Sequence, residues 1–302
     1  MKSGVPLSAI VLIVVLAMSF AAGTPPCLAA VKTAGANAGA APDQGAGDEP
    51  YPDLQSLFAL YQPYVANISA YRPMYFLVGT EPEKSSFQIS LKYRFLNAEG
   101  SLSKRWPWLQ GLHFGYTQTS LWDLASDSIP FEDTSYKPEL FFLTPNLGMR
   151  PSWMQAFLVQ TGFQHESNGQ GADLSRSTNY LYARPICILY DPVSRLGMQF
   201  SLKAWAYVNN EEETNPDLAD YRGYFEAETK VGKADSLVLA GLLRWAGQGP
   251  SVQVDLTYPI HKLLYRNLDF YFHAQYVNTL AESLLHYRER TQALRLGFAI
   301  VR

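Results

Sequence analysis

The eight residues SVQVDLTY, Ser251 to Tyr258, decide the fold class. In an extended chain Val252, Val254, Leu256 and Tyr258 fall on one face, and Ser251, Gln253, Asp255 and Thr257 on the other. A period of two belongs to a strand, because residues two apart diverge on a helix. Each such strand therefore has one face for an apolar environment and one for a polar environment.

From about Tyr71 onward the chain repeats this pattern, with Gly, Pro, Asn or Asp between segments. Segments of this kind are FQISLKYRF (87–95), GLHFGYTQT (111–119), ELFFLTPNL (139–147), QAFLVQTGF (155–163), NYLYARPI (179–186) and RLGMQFSLKAWAYV (195–208). YFEAETKV (224–231), DSLVLAGLLRW (235–245), NLDFYFHAQYV (267–277) and QALRLGFAIV (292–301) follow the same rule. With 251–258 and a segment near 71–79, about twelve strands are predicted. Residues 120–137 read as a long polar loop, and no segment from 87 onward reads as a helix.

Two architectures accept such a list. A soluble sandwich hides the apolar face of every strand against a second sheet. A transmembrane barrel turns that face to lipid and keeps the polar one inside. Strands of ten residues or more suit a tilted span. Tyr and Trp near strand ends suit a membrane interface, and Gln, Ser, Thr, Lys and Glu on the second face suit a hydrogen-bonded lumen. The expected fold is all-β, an antiparallel transmembrane β-barrel of the outer membrane.

Composition agrees. The 302 residues include 16 Phe, 19 Tyr and 6 Trp, and 24 basic residues against 27 acidic give a formal net charge of −3. No basic field argues for nucleic acid. The two cysteines, Cys27 and Cys187, exclude a disulfide-dense scaffold and a multi-cysteine metal site. Lys2, the apolar run from Ala9 to Ala22, the break at Gly23, Pro25 and Pro26, and the small residues Ala29 and Ala30 read as a secretory signal over 1–30. The Ala, Gly and Pro-rich stretch 31–56 reads as a disordered leader, and 57–302 as the barrel. Cys187 is expected to be a small apolar residue, packed or facing lipid.

The chemistry concentrates in FQHESNGQGADLSRSTN, Phe163 to Asn179. His165 and Ser167 are two apart at a strand end, so they share a face. A serine hydroxyl becomes a useful nucleophile when a base takes its proton, and imidazole is such a base near neutral pH. The other imidazole nitrogen then needs an orienting partner. Asn179 can be brought beside His165 by the intervening turn; Asp173 and Glu166 are rivals, with Glu166 on the opposite face by parity. Phe157, Val159, Thr161 and Phe163 lie in phase with His165, so the pair is expected on the lipid-facing wall. That suits an ester in a membrane lipid. His113, His261, His273 and His286 give no metal trio, and no P-loop, dinucleotide glycine pattern or nucleophile elbow is present.

HESNG followed by SRSTN resembles the outer membrane phospholipase A family, in which His-x-Ser-Asn-Gly precedes Ser-Arg-Ser-x-Asn. YTQTSLWD (116–123), Pro130-Phe131 and YKPELF (136–141) extend the likeness. The resemblance implies a twelve-stranded barrel active as a dimer, and calcium-dependent hydrolysis of acyl esters in phospholipids and lysophospholipids. It implies His165, Ser167 and Asn179 as the catalytic residues. It implies calcium near the serine at the dimer interface, with ligands at Ser128 (side chain), Gln170 (backbone carbonyl) and Ser175. Gln118 matches a polar residue of the dimer contact. The alternatives are a passive outer-membrane porin and another outer-membrane lipid hydrolase, such as a lipid A deacylase.

Overall fold

The computed structural model describes residues 66–210, 214–264 and 268–302. The expected signal at 1–30, the leader at 31–56 and the first barrel residues to 65 lie outside the described residues. The strands are β1 (Ile68–Ala70), β2 (Met74–Gly79), β3 (Ser85–Arg94), β4 (Leu112–Trp122), β5 (Phe131–Leu143), β6 (Ala156–Ser167) and β7 (Ser177–Asp191). They continue as β8 (Leu196–Tyr207), β9 (Phe225–Gly232), β10 (Val238–Ala246), β11 (Gly249–Pro259), β12 (Tyr271–Leu280) and β13 (Arg290–Val301). Each of β2 to β13 pairs antiparallel with its neighbours in the sequence, and β13 pairs with β2, so the sheet closes.

β1 and β2 lie end to end along β3, in the registers Ile68↔Tyr93 and Tyr75↔Gln88. They are two parts of one stave, so the closed barrel has twelve staves. The interruption is Tyr71-Arg72-Pro73, where proline offers no N–H to a ladder. Side chains of β3 satisfy the gap: the Arg72 N–H donates to Ser90 Oγ at 3.1 Å, and Gln88 Nε2 donates to the Pro73 carbonyl at 2.8 Å.

The distribution of polarity is that of a membrane barrel. Phe76, Leu91, Phe114, Leu140, Phe163, Phe200, Leu243, Leu294 and Phe298 are exposed on the outer wall. Ser90, Thr117, Glu139, Gln160, Gln164, Glu166, Arg184, Lys203, His273, Gln275 and Arg295 are buried within. SVQVDLTY follows this rule in β11: Ser251 and Thr257 are buried and Val254 is exposed. Water outside such a barrel would face hydrocarbon, so a soluble sandwich is excluded. Closure also leaves no unpaired sheet edge in lipid, where unmade backbone hydrogen bonds are costly.

Polar side chains cross a lumen cavity of about 490 Å³. Gln160 Nε2 donates to the hydroxyls of Tyr71 (2.6 Å) and Tyr182 (2.8 Å), Lys203 donates to Gln164 (2.7 Å), and Arg184 pairs with Glu228. At the end where β6 meets β7, the β8–β9 and β12–β13 connections fold together as a cap. Leu218, Ala281, Leu284 and Tyr287 form its buried cluster. Asp217 accepts hydrogen bonds from Tyr287 and Arg288, and the Ser283 hydroxyl donates to Asp133 of β5.

The predicted strands recur with shifted borders. The largest correction falls at 120–137, read from sequence as a loop. β4 runs to Trp122 and β5 starts at Phe131, leaving only 123–130 between them. The start of β5, Phe131-Glu132-Asp133-Thr134, rises toward the cap and pairs with partners other than lipid, so its alternation is weak. Helix is confined among the described residues to single-turn pieces such as Ser101–Arg105 and Leu218–Arg222.

The cap carries an acid-sensitive clasp. Burial raises the Asp217 pKa, but the hydrogen bonds from Arg288 and Tyr287 outweigh it and hold the carboxyl below its ordinary value. Burial foremost, and then the Asp217 carboxylate, push the Tyr287 hydroxyl up to about 12, against the opposing pull of Arg288. A carboxyl depressed by folding contributes stability above its unfolded pKa of about 3.9 and loses it as pH falls through the folded value. Pepsin cleavage in the cap connections should therefore rise as pH drops below about 4. Asp217→Asn should remove most of that rise while raising cleavage at the upper end of the range; identical profiles for both proteins would contradict the clasp.

Candidate active site

β6 and β7 place the candidate residues by parity and register. Along β6, Gln164 and Glu166 point into the lumen and are buried, while Phe163, His165 and Ser167 alternate outward. Along β7, Thr178, Tyr180 and Tyr182 are buried, and Asn179 and Leu181 lie on the opposite face. The register sets His165 opposite Asn179 and Ser167 opposite Ser177. His165 Nδ1 and Asn179 Oδ1 are 2.8 Å apart.

The direction of that bond can be assigned. Asn179 Nδ2 donates to the Asn209 carbonyl at 3.2 Å, so the amide oxygen is the end that faces the ring. An amide oxygen only accepts, so His165 carries its proton on Nδ1 and leaves Nε2 free as a base. Asn209 has φ +47°, an uncommon conformation for a residue with a side chain. Its N-terminal neighbour Val208 donates its N–H to the Asn179 carbonyl at 3.0 Å. The first residues of the β8–β9 connection thus hold Asn179 at both its backbone and its side chain. Sequence reading missed Asn209, because a backbone carbonyl thirty residues away leaves no side-chain signature.

Ser167 closes β6 on the same outer face as His165. Among the described residues its hydroxyl makes no hydrogen bond. Catalytic contacts commonly tighten only in the substrate complex. In register with it across the outer wall stand Tyr136 of β5, then Gln118 of β4. The Tyr116 hydroxyl donates to Gln118 Oε1 at 3.1 Å. A row of polar groups, Gln118, Tyr136, Ser167 and Ser177, therefore crosses an otherwise apolar wall.

The turn from 168 to 176 is stapled by Asn168, which is 2 % exposed. Its Nδ2 donates to the Leu174 carbonyl at 2.8 Å, and its Oδ1 accepts the N–H groups of Arg176 (3.0 Å) and Gln170 (3.3 Å). Gly169 has φ +68°, and a Cβ there would sit 2.8 Å from the Tyr136 ring, so only glycine fits. The Asn-Gly of HESNG is explained by this turn. Asp173, one of the two rivals of Asn179, lies on the turn and offers its carbonyl to Arg176, with no bond to His165. Glu166, the other rival, points into the lumen and bonds Arg222 and Ser135.

Gln170 and Ser175 lie on the stapled turn, directly after Ser167. Ser128 lies at the β4–β5 tip at the same end of the barrel, with φ +69°. Among the described residues no hydrogen bond joins Ser128 to Gln170 or Ser175. No cluster of three His, Cys, Asp or Glu side chains able to hold a metal occurs among the described residues. The donors that Ser128, Gln170 and Ser175 offer are neutral oxygens. Cys187 lines a small apolar notch on the outer wall with Trp153, Met154, Leu189, Met198 and Phe200, remote from this end.

The phospholipase A1 family model matches residues 61–300. The chain belongs to the phospholipase A1 family. It is 30% identical over 200 residues to a putative phospholipase A1 of Neisseria meningitidis serogroup B, covering 62% of this chain and 48% of that protein. It is 32% identical over 154 residues to phospholipase A1 of Escherichia coli K12, covering 49% of each. The chain thus spans about half the length of the curated relatives it matches. Among solved structures, the barrel superposes on outer membrane phospholipase A from Escherichia coli with a TM-score of 0.64 at 23% identity, over 78% of this chain and 98% of that one. The Salmonella typhi outer membrane phospholipase, solved as a dimer with bound calcium, gives 0.64 at 22% identity over 80% and 97%. The family fold is this twelve-stave outer-membrane barrel.

The ring geometry makes a chemical prediction that needs no substrate. Ser167 should react with a fluorophosphonate probe in detergent micelles. His165→Ala should slow labelling by about 10²–10⁴-fold, the usual contribution of a general base. Asn179→Ala should slow it less, roughly tenfold, because base and hydroxyl remain. Equal labelling of all three proteins would show that the imidazole does not activate the hydroxyl.

Proposed function

We propose that this protein is a calcium-dependent phospholipase A1/A2 that hydrolyses acyl esters of membrane phospholipids and lysophospholipids. Ser167 is the nucleophile, His165 the base and Asn179 the residue that holds it. The observation that carries this reading is the His165–Asn179 bond on the lipid-facing wall, beside the outward Ser167. Family membership adds weight, as does the outer-membrane barrel fold.

The order of events follows from the tautomer. Ser167 Oγ attacks an acyl carbonyl of a lipid lying against the wall as His165 Nε2 takes the hydroxyl proton. The Ser167 backbone N–H donates to the developing oxyanion. The imidazolium keeps its Nδ1–H on Asn179, then gives the Nε2 proton to the departing lysolipid oxygen. Water, deprotonated by the same nitrogen, releases the fatty acid. Phe163 and Leu181, one step further down the two strands, offer the acyl chain an apolar bed on the same outer face.

The oxygen set fits calcium. It is a hard cation that accepts carbonyl and hydroxyl oxygens, and Ser128, Gln170 and Ser175 would hold it. When bound it would supply positive charge beside the developing oxyanion. Three neutral donors in one protomer would leave room for water and for donors of a second copy. The polar row through Gln118 is the surface we assign to that homodimer. Ser128, Gln170 and Ser175 would thus hold the cation beside the serine that the assigned dimer surface adjoins.

Of two rival readings, one is disfavoured by specific features and the other is decided by the substrate. A passive porin needs an open lumen, whereas here side-chain bonds cross the lumen and a cap folds over one end. A lipid A deacylase would share the outer wall and a His–Ser pair, and the substrate decides between them. Purified protein should release fatty acid from phosphatidylethanolamine with calcium, and lose at least about 10³-fold in rate with a chelator or as Ser167→Ala. Release from lipid A alone, or undiminished turnover by folded Ser167→Ala, would overturn the assignment.

A further inference from the structure

The lumen side of the same two strands carries a contact that the reaction scheme does not use. Glu166 stands between His165 and Ser167 in the sequence, and its side chain points the opposite way, 3 % exposed. Arg222 Nη1 donates to Glu166 Oε2 at 2.6 Å. The same nitrogen donates to the Tyr180 hydroxyl at 2.7 Å, and Tyr180 directly follows Asn179. Ser135 Oγ donates to the other Glu166 oxygen at 3.0 Å, and Lys137 Nζ lies 3.8 Å from it.

One guanidinium thus grips the inward neighbour of every candidate catalytic residue. It reaches that position from the cap. Arg222 ends the helical turn Leu218–Arg222, whose Leu218 is fully buried in the cap cluster. Its Nη2 donates to the Ala281 carbonyl at 3.0 Å, at the start of the other cap connection.

We propose that Arg222 and Glu166 are positioning residues for the hydrolysis, a bolt through the barrel wall by which the cap sets the pitch of the catalytic ends of β6 and β7. The inference rests on the phospholipase reading given above. The physical argument is parity. In a strand the rotation of one residue fixes the outward direction of its two neighbours. Pinning Glu166 from inside therefore pins His165 and Ser167 outside, and pinning Tyr180 pins Asn179. A hydroxyl and an imidazole that must share a proton tolerate little error, since a displacement of about 1 Å can cost about 10²-fold in rate. The cation serves both strands at once, so it fixes their relative offset as well as each one's pitch.

The test is a set of full-length variants assayed in micelles with calcium for kcat, KM and fluorophosphonate labelling of Ser167. Arg222→Met is expected to lower kcat and the labelling rate together by about tenfold to a hundredfold. KM should stay within about twofold, because the lipid-facing surface is untouched. Arg222→Lys should recover part of the loss. Glu166→Gln combined with Arg222→Met should lose little more than Arg222→Met alone, since both act through one contact. Tyr180→Phe, which keeps the shape of the core, should slow labelling about threefold and covers the case in which Arg222→Met fails to fold. Arg288→Met, at the exposed rim of the cap, should leave kcat within about twofold.

Full labelling and kcat in folded Arg222→Met and Tyr180→Phe would overturn the bolt. So would an Arg288→Met defect as large as that of Arg222→Met, since cap folding alone would then explain the loss. Ser167→Ala separates this outcome from failure of the underlying reading. If wild type and Ser167→Ala release fatty acid alike, the phospholipase assignment falls. If Ser167→Ala is dead while Arg222→Met is at full rate, only the bolt falls.

Discussion

Everything in this molecule follows from turning a sheet's apolar face outward. In water the apolar face of each strand seeks a partner sheet. In hydrocarbon it is already solvated, and the demand passes to the backbone, which must pair every N–H and C=O. Closure of β2 on β13 meets that demand. The second faces must then satisfy one another inside. Gln160 with Tyr71 and Tyr182, Arg184 with Glu228, and His273 with Asp255 are that settlement.

The same inversion decides where chemistry can sit. A nucleophile on the inner face would see water and a crowded polar network. On the outer face it sees lipid. β6 uses both faces at one place: His165 and Ser167 outward, Glu166 inward. Its outer residues carry few partners: His165 bonds Asn179 alone, and the Ser167 hydroxyl makes no hydrogen bond among the described residues, as the proposed role toward a lipid requires. Its inner residue is rich in them. The two conditions are complementary consequences of one alternation.

Much of the fold could be read from the sequence, and the reasons are physical. Where a strand lies within the bilayer both faces are constrained, so SVQVDLTY alternates cleanly. Where a strand rises past the membrane the outer face is released. Phe131 to Thr134 lost its pattern for that reason, since Asp133 answers to the cap through Ser283 and the Leu285 N–H. The strand read near 71–79 begins only at Met74, after the break at Tyr71 to Pro73, where proline cannot join the ladder. At the candidate site, the facing of His165 and Asn179 follows from a short turn between paired strands, and Gly169 marks that turn. The roles of Asn209 and Arg222 were illegible. One acts through a carbonyl, and the other comes from a connection 56 residues away in sequence, with no motif to mark the pairing.

Buried ion pairs seldom repay their desolvation, and an apolar replacement of the whole pair is often as stable. The Glu166–Arg222 pair is thus poorly explained as a source of stability alone. Removing one partner is another matter, at about 3–5 kcal/mol, because the survivor is left charged and unpaired. On the proposal above, that asymmetry lets the pair serve specificity, since arrangements of β6, β7 and the cap that separate the two charges are penalised. An apolar plug of equal volume would hold the strands together without a directional contact between them. On the same proposal, the cost of burying charge behind the wall is the counterpart of keeping Ser167 and the Asn179-held imidazole ordered on its face.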